Sequence, residues 1–226
     1  VKVLTHEINK TALLCRMPEC LISTYLDNMP LAAELKADFE WAKSIAVGPG
    51  LSMNGVAAEL TRCVLEREDK VRILDADALN IIAAEHIDYK GSSEGKIIIT
   101  PHIMEMSRLT GKTAADIKEH MIETAKEYAI QHSCICILKD ARTVVTDGQK
   151  VYINCTGNDG MSTGGCGDVL TGLIAGMTAM GLDAFDAACL SVYVHGKAGD
   201  YVAAGKGRAG MTAADISEAI AYVLKR

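Results

Sequence analysis

Short, almost continuously apolar runs alternate with longer stretches of helical period, and this alternation constrains the fold more than any other feature of the chain. The runs are Ser44-Ile45-Ala46-Val47, Val71-Arg72-Ile73-Leu74, Lys96-Ile97-Ile98-Ile99 and Cys134-Ile135-Cys136-Ile137-Leu138. A strand wet on one face alternates apolar and polar residues, so runs like these predict strands covered on both faces, as in a parallel sheet. Helices are expected between them. Residues 113–132 read as one helix: Thr113 and Asp116 make a capping-box-like start, and Ile117, Met121, Ile122, Ala125, Tyr128 and Ala129 share a face. Thr212 and Asp215 open a last helix with Ile216, Ala219, Ile220 and Val223 as its inner stripe. Residues 143–146 and 151–154 flank Asp147-Gly148, a tight-turn dipeptide, and predict a hairpin. Beyond Met161 the pattern is glycine loop followed by helices, with no further strand. The order predicts an α/β fold, doubly wound and mostly parallel, flanked by helices.

The 226 residues are 49% hydrophobic and 23% charged, a globular composition without a linker-like break, so one domain over residues 1–226 is expected. The net charge of −6 argues against general affinity for nucleic acid or acidic membranes. Residues 169–182 form the longest charge-free apolar stretch. They are too few for a membrane helix, and a soluble, cytoplasmic protein is expected. The chain starts at Val1 with no secretory leader pattern, which reads as a start trimmed of some preceding segment. Eight cysteines contain no CxxC pair and no His/Cys cluster at zinc spacing, so free buried thiols and no protein-held metal centre are expected.

Three motif matches fail. Gly111-Lys112-Thr113 ends like a phosphate loop, but Met106 stands where its first glycine belongs. Gly48-Pro49-Gly50 and Gly165-Cys166-Gly167 lack the third glycine of a dinucleotide fingerprint, having Met53 and Leu170 there. Redox use of NAD is disfavoured.

The densest functional signal is residues 157–170, Gly-Asn-Asp-Gly-Met-Ser-Thr-Gly-Gly-Cys-Gly-Asp-Val-Leu. Glycines placed just before an apolar helical run let successive backbone amides converge at a helix N-terminus, which makes a cradle for an anion. Asp168 at its end is a poor phosphate ligand by charge. It can instead accept the proton of a hydroxyl that attacks a phosphoryl group while the amides take up charge on the transferring oxygens, unless it is a plain helix cap.

With these residues in order, the sequence resembles the ADP/ATP-dependent NAD(P)H-hydrate dehydratase family of the ribokinase-like superfamily. The resembling blocks are residues 47–51, Asp75-Ala76-Asp77-Ala78-Leu79-Asn80, Thr100-Pro101-His102 with Glu105, residues 139–143, residues 158–170 and Tyr193-Val194-His195-Gly196. The resemblance implies removal of water from the S form of hydrated NADH or NADPH (NADHX, NADPHX), coupled to cleavage of ADP or ATP. It implies Asp168 as base and substrate contact, Gly50 and His102 as further substrate contacts, and a transferring phosphoryl group held by the amides of Gly165, Cys166 and Gly167. Lys139, Asp140, Ala141, Arg142, Thr143 and Gly167 correspond to nucleotide-binding positions. Asp140 replaces the family's glycine, Cys166 its usual threonine, and Ile103-Met104 the usual Pro-Gly after the histidine.

Pro101 is placed at the start of a helix whose N-terminus faces the site. Asp75, Asp77, Asn80 and Asn158 are read as supporting residues. For Asp75 and Asp77, positioning Mg²⁺ through water and capping the following helix both stay open. His195 is expected to pack beneath the site, and Cys166, although a helix N-terminus can lower a thiol pKa, is read as a tolerated backbone position with a liability to oxidation. Mg²⁺ is expected with the nucleotide, a homotetramer as the assembly, and an NAD(P)H-hydrate epimerase as a fused or separate companion. The missing start would then hold an opening βα portion with a glycine/alanine-rich substrate contact. A small-molecule kinase acting on a hydroxyalkyl thiazole or pyrimidine alcohol, and a non-catalytic nucleotide-binding relative, are the alternatives.

Overall fold

The computed structural model describes residues 1–26, 31, 35–92 and 96–225. They form two compact units, Val1–Ala42 and Lys43–Arg226. The first contains two strands, β1 (Lys2–His6) and β2 (Leu21–Tyr25), joined through α1 (Lys10–Arg16) and paired in parallel, followed by α2 (Lys36–Trp41). An ion pair ties Lys2 on β1 to Asp38 on α2, Nζ to Oδ1 at 2.7 Å. These strands escaped the sequence reading because Lys2, Thr5, Ser23 and Thr24 interrupt their apolar runs.

The second unit is built on six strands in sequence order: β3 (Ser44–Val47), β4 (Val71–Leu74), β5 (Ile97–Ile99), β6 (Ile135–Leu138), β7 (Val144–Thr146) and β8 (Val151–Ile153). The first four are parallel, and β6-β7-β8 form an antiparallel meander. All four predicted parallel runs are strands, trimmed by one residue at the start of β5 and of β6. The expected α/β fold with a mostly parallel, helix-flanked sheet is the fold observed. The predicted hairpin is present, its strands one residue shorter than expected at the start of β7 and the end of β8. Its turn takes four residues, 147–150; Gly148 has φ 94°, and the Asp147 carboxylate accepts the amides of Gln149 and Lys150.

Between the strands lie α3 (Gly55–Leu65), α4 (Ala76–Glu85), α5 (Ile103–Thr110), α6 (Ala114–Glu119) and α7 (Met121–His132). The single helix expected over 113–132 is two helices. They part at His120, which has φ −125° and ψ 46°, and Thr113 supplies half of the expected capping box by accepting the Asp116 amide. The C-terminal layer is α8 (Cys166–Ala179), α9 (Ala184–Lys206) and α10 (Ala213–Val223), the last opened by the Thr212/Asp215 capping box.

Ile73, Ile98, Ile135, Ile137 and Val145 on one face of the sheet pack against Leu170 and Ile174 of α8 and Ala184, Ala188 and Val192 of α9. The small side chains on α9 let it lie close to the sheet. Parallel strands bring the exits of β3, β4, β5 and β6 to one edge, where the amides that open α8 also arrive. Open α/β sheets place their ligands at such an edge.

Candidate active site

At the exit of β3, Gly48 approaches the next strand so closely that a Cβ would stand 1.7 Å from the Asp75 carbonyl oxygen. Its φ of 127° is a second reason for glycine. The chain then turns through Gly50, φ 63°, and the Ser52 amide is caught by the Asp77 carboxylate at 2.7 Å. Asp77 thus braces the Gly50 loop.

Asp75 leaves β4 at the N-cap position of α4 yet makes no side-chain cap bond. Its carboxylate points instead into the site floor, where Oδ1 accepts from Lys139 Nζ at 2.9 Å and Oδ2 from the Thr171 hydroxyl at 2.7 Å. Burial alone would push this carboxyl up. The Lys139 charge and the hydrogen bonds from Thr100, Thr171 and Lys139 outweigh it and hold the group below the usual carboxylate range. Asp75 is therefore ionised.

After β5, His102 caps α5: its Nδ1 accepts the amides of Met104 and Glu105, at 3.0 and 3.1 Å, and Glu105 returns a bond to the His102 amide. The neutral ring consequently carries its proton on Nε2, 3.4 Å from Glu105 Oε1. Pro101 lies one residue outside this cap rather than opening the helix. Its carbonyl accepts the Lys139 amide at 2.8 Å, aligning the exits of β5 and β6. His102, Lys139 and Asp140 line one cleft of about 300 Å³ with Ile103, Met104, Ala114 and Lys118.

Beyond Lys139, the Thr143 hydroxyl closes the turn onto the Asp140 carbonyl. Ala141 and Arg142 are exposed, and Arg142 folds back on the Ala141 carbonyl.

In the glycine segment, Gly157 and Gly165 have positive φ, 97° and 87°. Gly165 caps α8 with no side-chain cap bond; the Cys166 amide turns back to the Thr163 carbonyl at 3.4 Å, and Gly167 in the first turn of this fourteen-residue helix lies beside Lys139. A Cβ on Gly167 would lie 3.4 Å from Lys139 Nζ. Asp168 is exposed in the first turn. Partial desolvation and the negative charges of Asp75 and Asp77 push its carboxyl up against the opposing pull of Lys139. Its raised carboxyl is a stronger base than an ordinary aspartate.

Cys166 is buried and free, as expected of the cysteines, and burial pushes its thiol up. One expectation needs correction. Asn80 turns to a separate cleft of about 520 Å³, bonded to Arg108 and lined also by Met53, Ala83 and Ala84.

Asn158 braces the loop by accepting the Gly160 amide and donating to Asp200, which also accepts the Gly157 amide. His195 is buried on α9 against the Cys166 backbone, with Nε2 unpaired; burial lowers its pKa to about 4, so the ring is neutral. Sequence reasoning missed Thr171 and Asp200. The available signals were a hydroxyl three residues after Asp168 inside an apolar helix and an aspartate after His195-Gly196 and Gly199.

Lys139, the glycine-capped start of α8 and Asp168 with its raised carboxyl come together at the strand-exit edge of an α/β scaffold. The family model described as NAD(P)H-hydrate dehydratase matches residues 1–222, and the chain belongs to that family. The ADP-dependent (S)-NAD(P)H-hydrate dehydratase of Neisseria meningitidis is 31% identical over 95% of this chain and 71% of its own length. The bifunctional NAD(P)H-hydrate repair enzyme Nnr of Moorella thermoacetica is 45% identical over 80% of this chain, and 44% of the Leishmania infantum bifunctional enzyme is covered at 36% identity.

The chain thus spans between about a third and under a half of these bifunctional relatives, the Moorella match covering 34%. Among solved structures, the Bacillus subtilis ADP/ATP-dependent NAD(P)H-hydrate dehydratase co-crystallised with ATP/Mg²⁺ superposes with a TM-score of 0.85 at 30% identity, covering 98% of this chain and 78% of the other. Hydroxyethylthiazole kinase from Pyrococcus horikoshii, with a TM-score of 0.67 and 14% identity, shares the fold.

Proposed function

We propose that the protein dehydrates the S form of NADHX or NADPHX back to NADH or NADPH at the expense of ADP or ATP. The observation that carries this reading is the placing of Asp168, with its raised carboxyl, at the opening of α8 beside Lys139 and Gly167. Asp168 takes the proton of the ring hydroxyl as its oxygen attacks the terminal phosphoryl group, and the nucleotide leaves. The amides of Gly165, Cys166 and Gly167 take up charge on the transferring oxygens, and Lys139 balances the phosphates. The new phosphate ester is a better leaving group than hydroxide. Its elimination, with loss of a ring proton, restores the dihydronicotinamide.

Gly50 and His102 are assigned to the hydrated substrate, His102 as a donor through Nε2. Lys139, Asp140, Ala141, Arg142, Thr143 and Gly167 are assigned to the nucleotide. Asp75, Asp77 and Asn158 are assigned as braces. Mg²⁺ would come with the nucleotide and neutralise phosphate charge. No group of three or more metal-ligating side chains converges among the described residues, so phosphate oxygens and water are its expected ligands.

The proposal takes residues 1–226 as one dehydratase domain of a cytoplasmic protein. No helix among the described residues is long and apolar enough to cross a membrane. A homotetramer would cover the exposed Val151 and Ile153 of edge strand β8 and Leu190 and Tyr193 of α9. The bifunctional relatives support an epimerase companion, fused or separate.

The test is incubation of the purified full-length protein with S-NADHX and Mg-ADP or Mg-ATP. Return of the dihydronicotinamide absorbance with stoichiometric phosphate release is expected. Nucleotide binding without that absorbance would refute the reading.

A further inference from the structure

We propose that Asp75 is a positioning residue for phosphoryl transfer: from its buried seat it holds the Lys139 ammonium against Gly167 and ties that lysine to the helix carrying Asp168. The activity arm of this inference rests on the dehydratase reading. Its structural arm does not.

Both carboxylate oxygens are committed to hydrogen bonds, Oδ1 to Lys139 across 64 residues of sequence and Oδ2 to Thr171 across 96. The exits of β4 and β6 and the first turns of α8 are thereby joined at one buried point. An N-cap aspartate ordinarily accepts an amide of the helix it heads. Asp75 does not, and the next residue, Ala76, has φ 47°, a left-handed conformation costly for alanine. The chain accepts a missing cap bond and a strained residue, and the carboxylate faces the site. An N-cap role alone gives no account of either feature.

The consequence for catalysis follows from helix spacing. Thr171 lies three residues after Asp168, so the two share a face of α8. Asp75, bonded to Thr171, is a fixed negative charge beneath the base. The ionisable groups that bear on Asp168 are Asp75 at the exit of β4, Asp77 on α4 and Lys139 at the exit of β6; His195 on α9, behind Cys166, is neutral. Asp75 favours the protonated form of Asp168 directly. It also keeps the opposing lysine charge paired. A mobile, unpaired Lys139 would depress the base it is meant to serve.

Asp75→Asn keeps the shape and removes the charge. Carboxylate ¹³C NMR titration, with the Asp168 signal assigned by its loss in Asp168→Asn, is expected to show Asp168 titrating at lower pH in Asp75→Asn than in the parent. The acid limb of kcat should move the same way, with kcat down by about tenfold or more while the Kd for Mg-ADP is unchanged or lower.

Thr171→Val supplies an independent arm should Asp75→Asn fail to fold. It should lower kcat without weakening Mg-ADP, and Thr171→Ser should restore kcat. An unmoved Asp168 titration in folded Asp75→Asn, or parental kcat in Thr171→Val, overturns the proposal. Parent protein that binds Mg-ADP and gives no dihydronicotinamide refutes the dehydratase reading instead, and the titration still decides the role of Asp75.

Discussion

At the floor of the site, Asp75 and Thr171 are buried, and the Asp75 carboxylate is bonded to both Thr171 and the half-buried Lys139. At the rim, Gly50, His102, Asp140, Ala141 and Arg142 are exposed, and His102 and Asp140 line an open cleft. The floor is specified by close packing, where a misplaced methyl group has nowhere to go. The rim is specified by what it binds. The same residue type therefore carries different meaning in the two places, and the two glycines at the exit of β3 make the cleanest pair on which to break the distinction.

Gly48→Ala is expected to have the largest effect. The added Cβ would meet the Asp75 carbonyl oxygen at 1.7 Å, and φ 127° is already unfavourable for alanine, so β3 and β4 would have to separate. A loss of at least about 4 kcal/mol, enough to empty the native state of a marginal protein, is expected in urea unfolding. Gly50→Ala has open space for its Cβ and bears only the left-handed penalty of about 1–2 kcal/mol, partly offset by a stiffer unfolded chain. Similar losses from the two substitutions would erase the contrast between floor and rim.

Asp168 stands at the junction, exposed to the rim and pushed up from the floor. Asp168→Asn should retain Mg-ADP affinity and lose about 10²–10⁴ in kcat, the usual worth of a positioned general base. Calorimetric titration and steady-state rates on the same preparation check both halves. Near-parental turnover would remove Asp168 as the base and leave the amide cradle as a binding device.

The junction was readable in the sequence because glycine density before an apolar helical run has few structural explanations. The parallel strands were readable because runs such as Ile97-Ile98-Ile99 need cover on both faces. The floor was not. Thr171 looks like one more residue of an apolar helix until α8 is docked against β4, and Asp75 looks like a cap until the φ of Ala76 turns its carboxylate away. Both are set by tertiary contacts across 64 or 96 residues, which local propensity does not encode.

His195 lies beneath the cradle, and its titration gives a pH signature for that layer. A folded-state pKa near 4, below the ordinary histidine value of 6.5, means that the unfolded chain binds the proton between those values and the folded chain does not. Stability is fully present above about pH 6.5 and is lost as pH falls towards 4. The whole effect is about 3 kcal/mol. Urea midpoints measured across that window should show the slope in the parent and lose most of it in His195→Gln. An unchanged slope would assign the acid sensitivity to the carboxylates, Asp75 foremost, whose own contribution falls away at lower pH.

The smallest expected effect concerns the kink that sends Asp75 to the floor. Ala76 at φ 47° costs about 1–2 kcal/mol relative to a residue without a Cβ. Glycine removes that cost and adds about 0.4–1 kcal/mol of unfolded-state entropy. Ala76→Gly should therefore be neutral to stabilising by about 1 kcal/mol, and kcat should stay at the parental value because the Asp75 bonds to Lys139 and Thr171 persist. Valine, with a branched Cβ, cannot hold the left-handed conformation cheaply, so Ala76→Val should destabilise the fold and release Asp75 toward the cap of α4. The pair distinguishes a kink maintained for the carboxylate from one that is incidental. In the first case the loss of kcat in Ala76→Val tracks the change in Asp168 titration; in the second, stability falls alone.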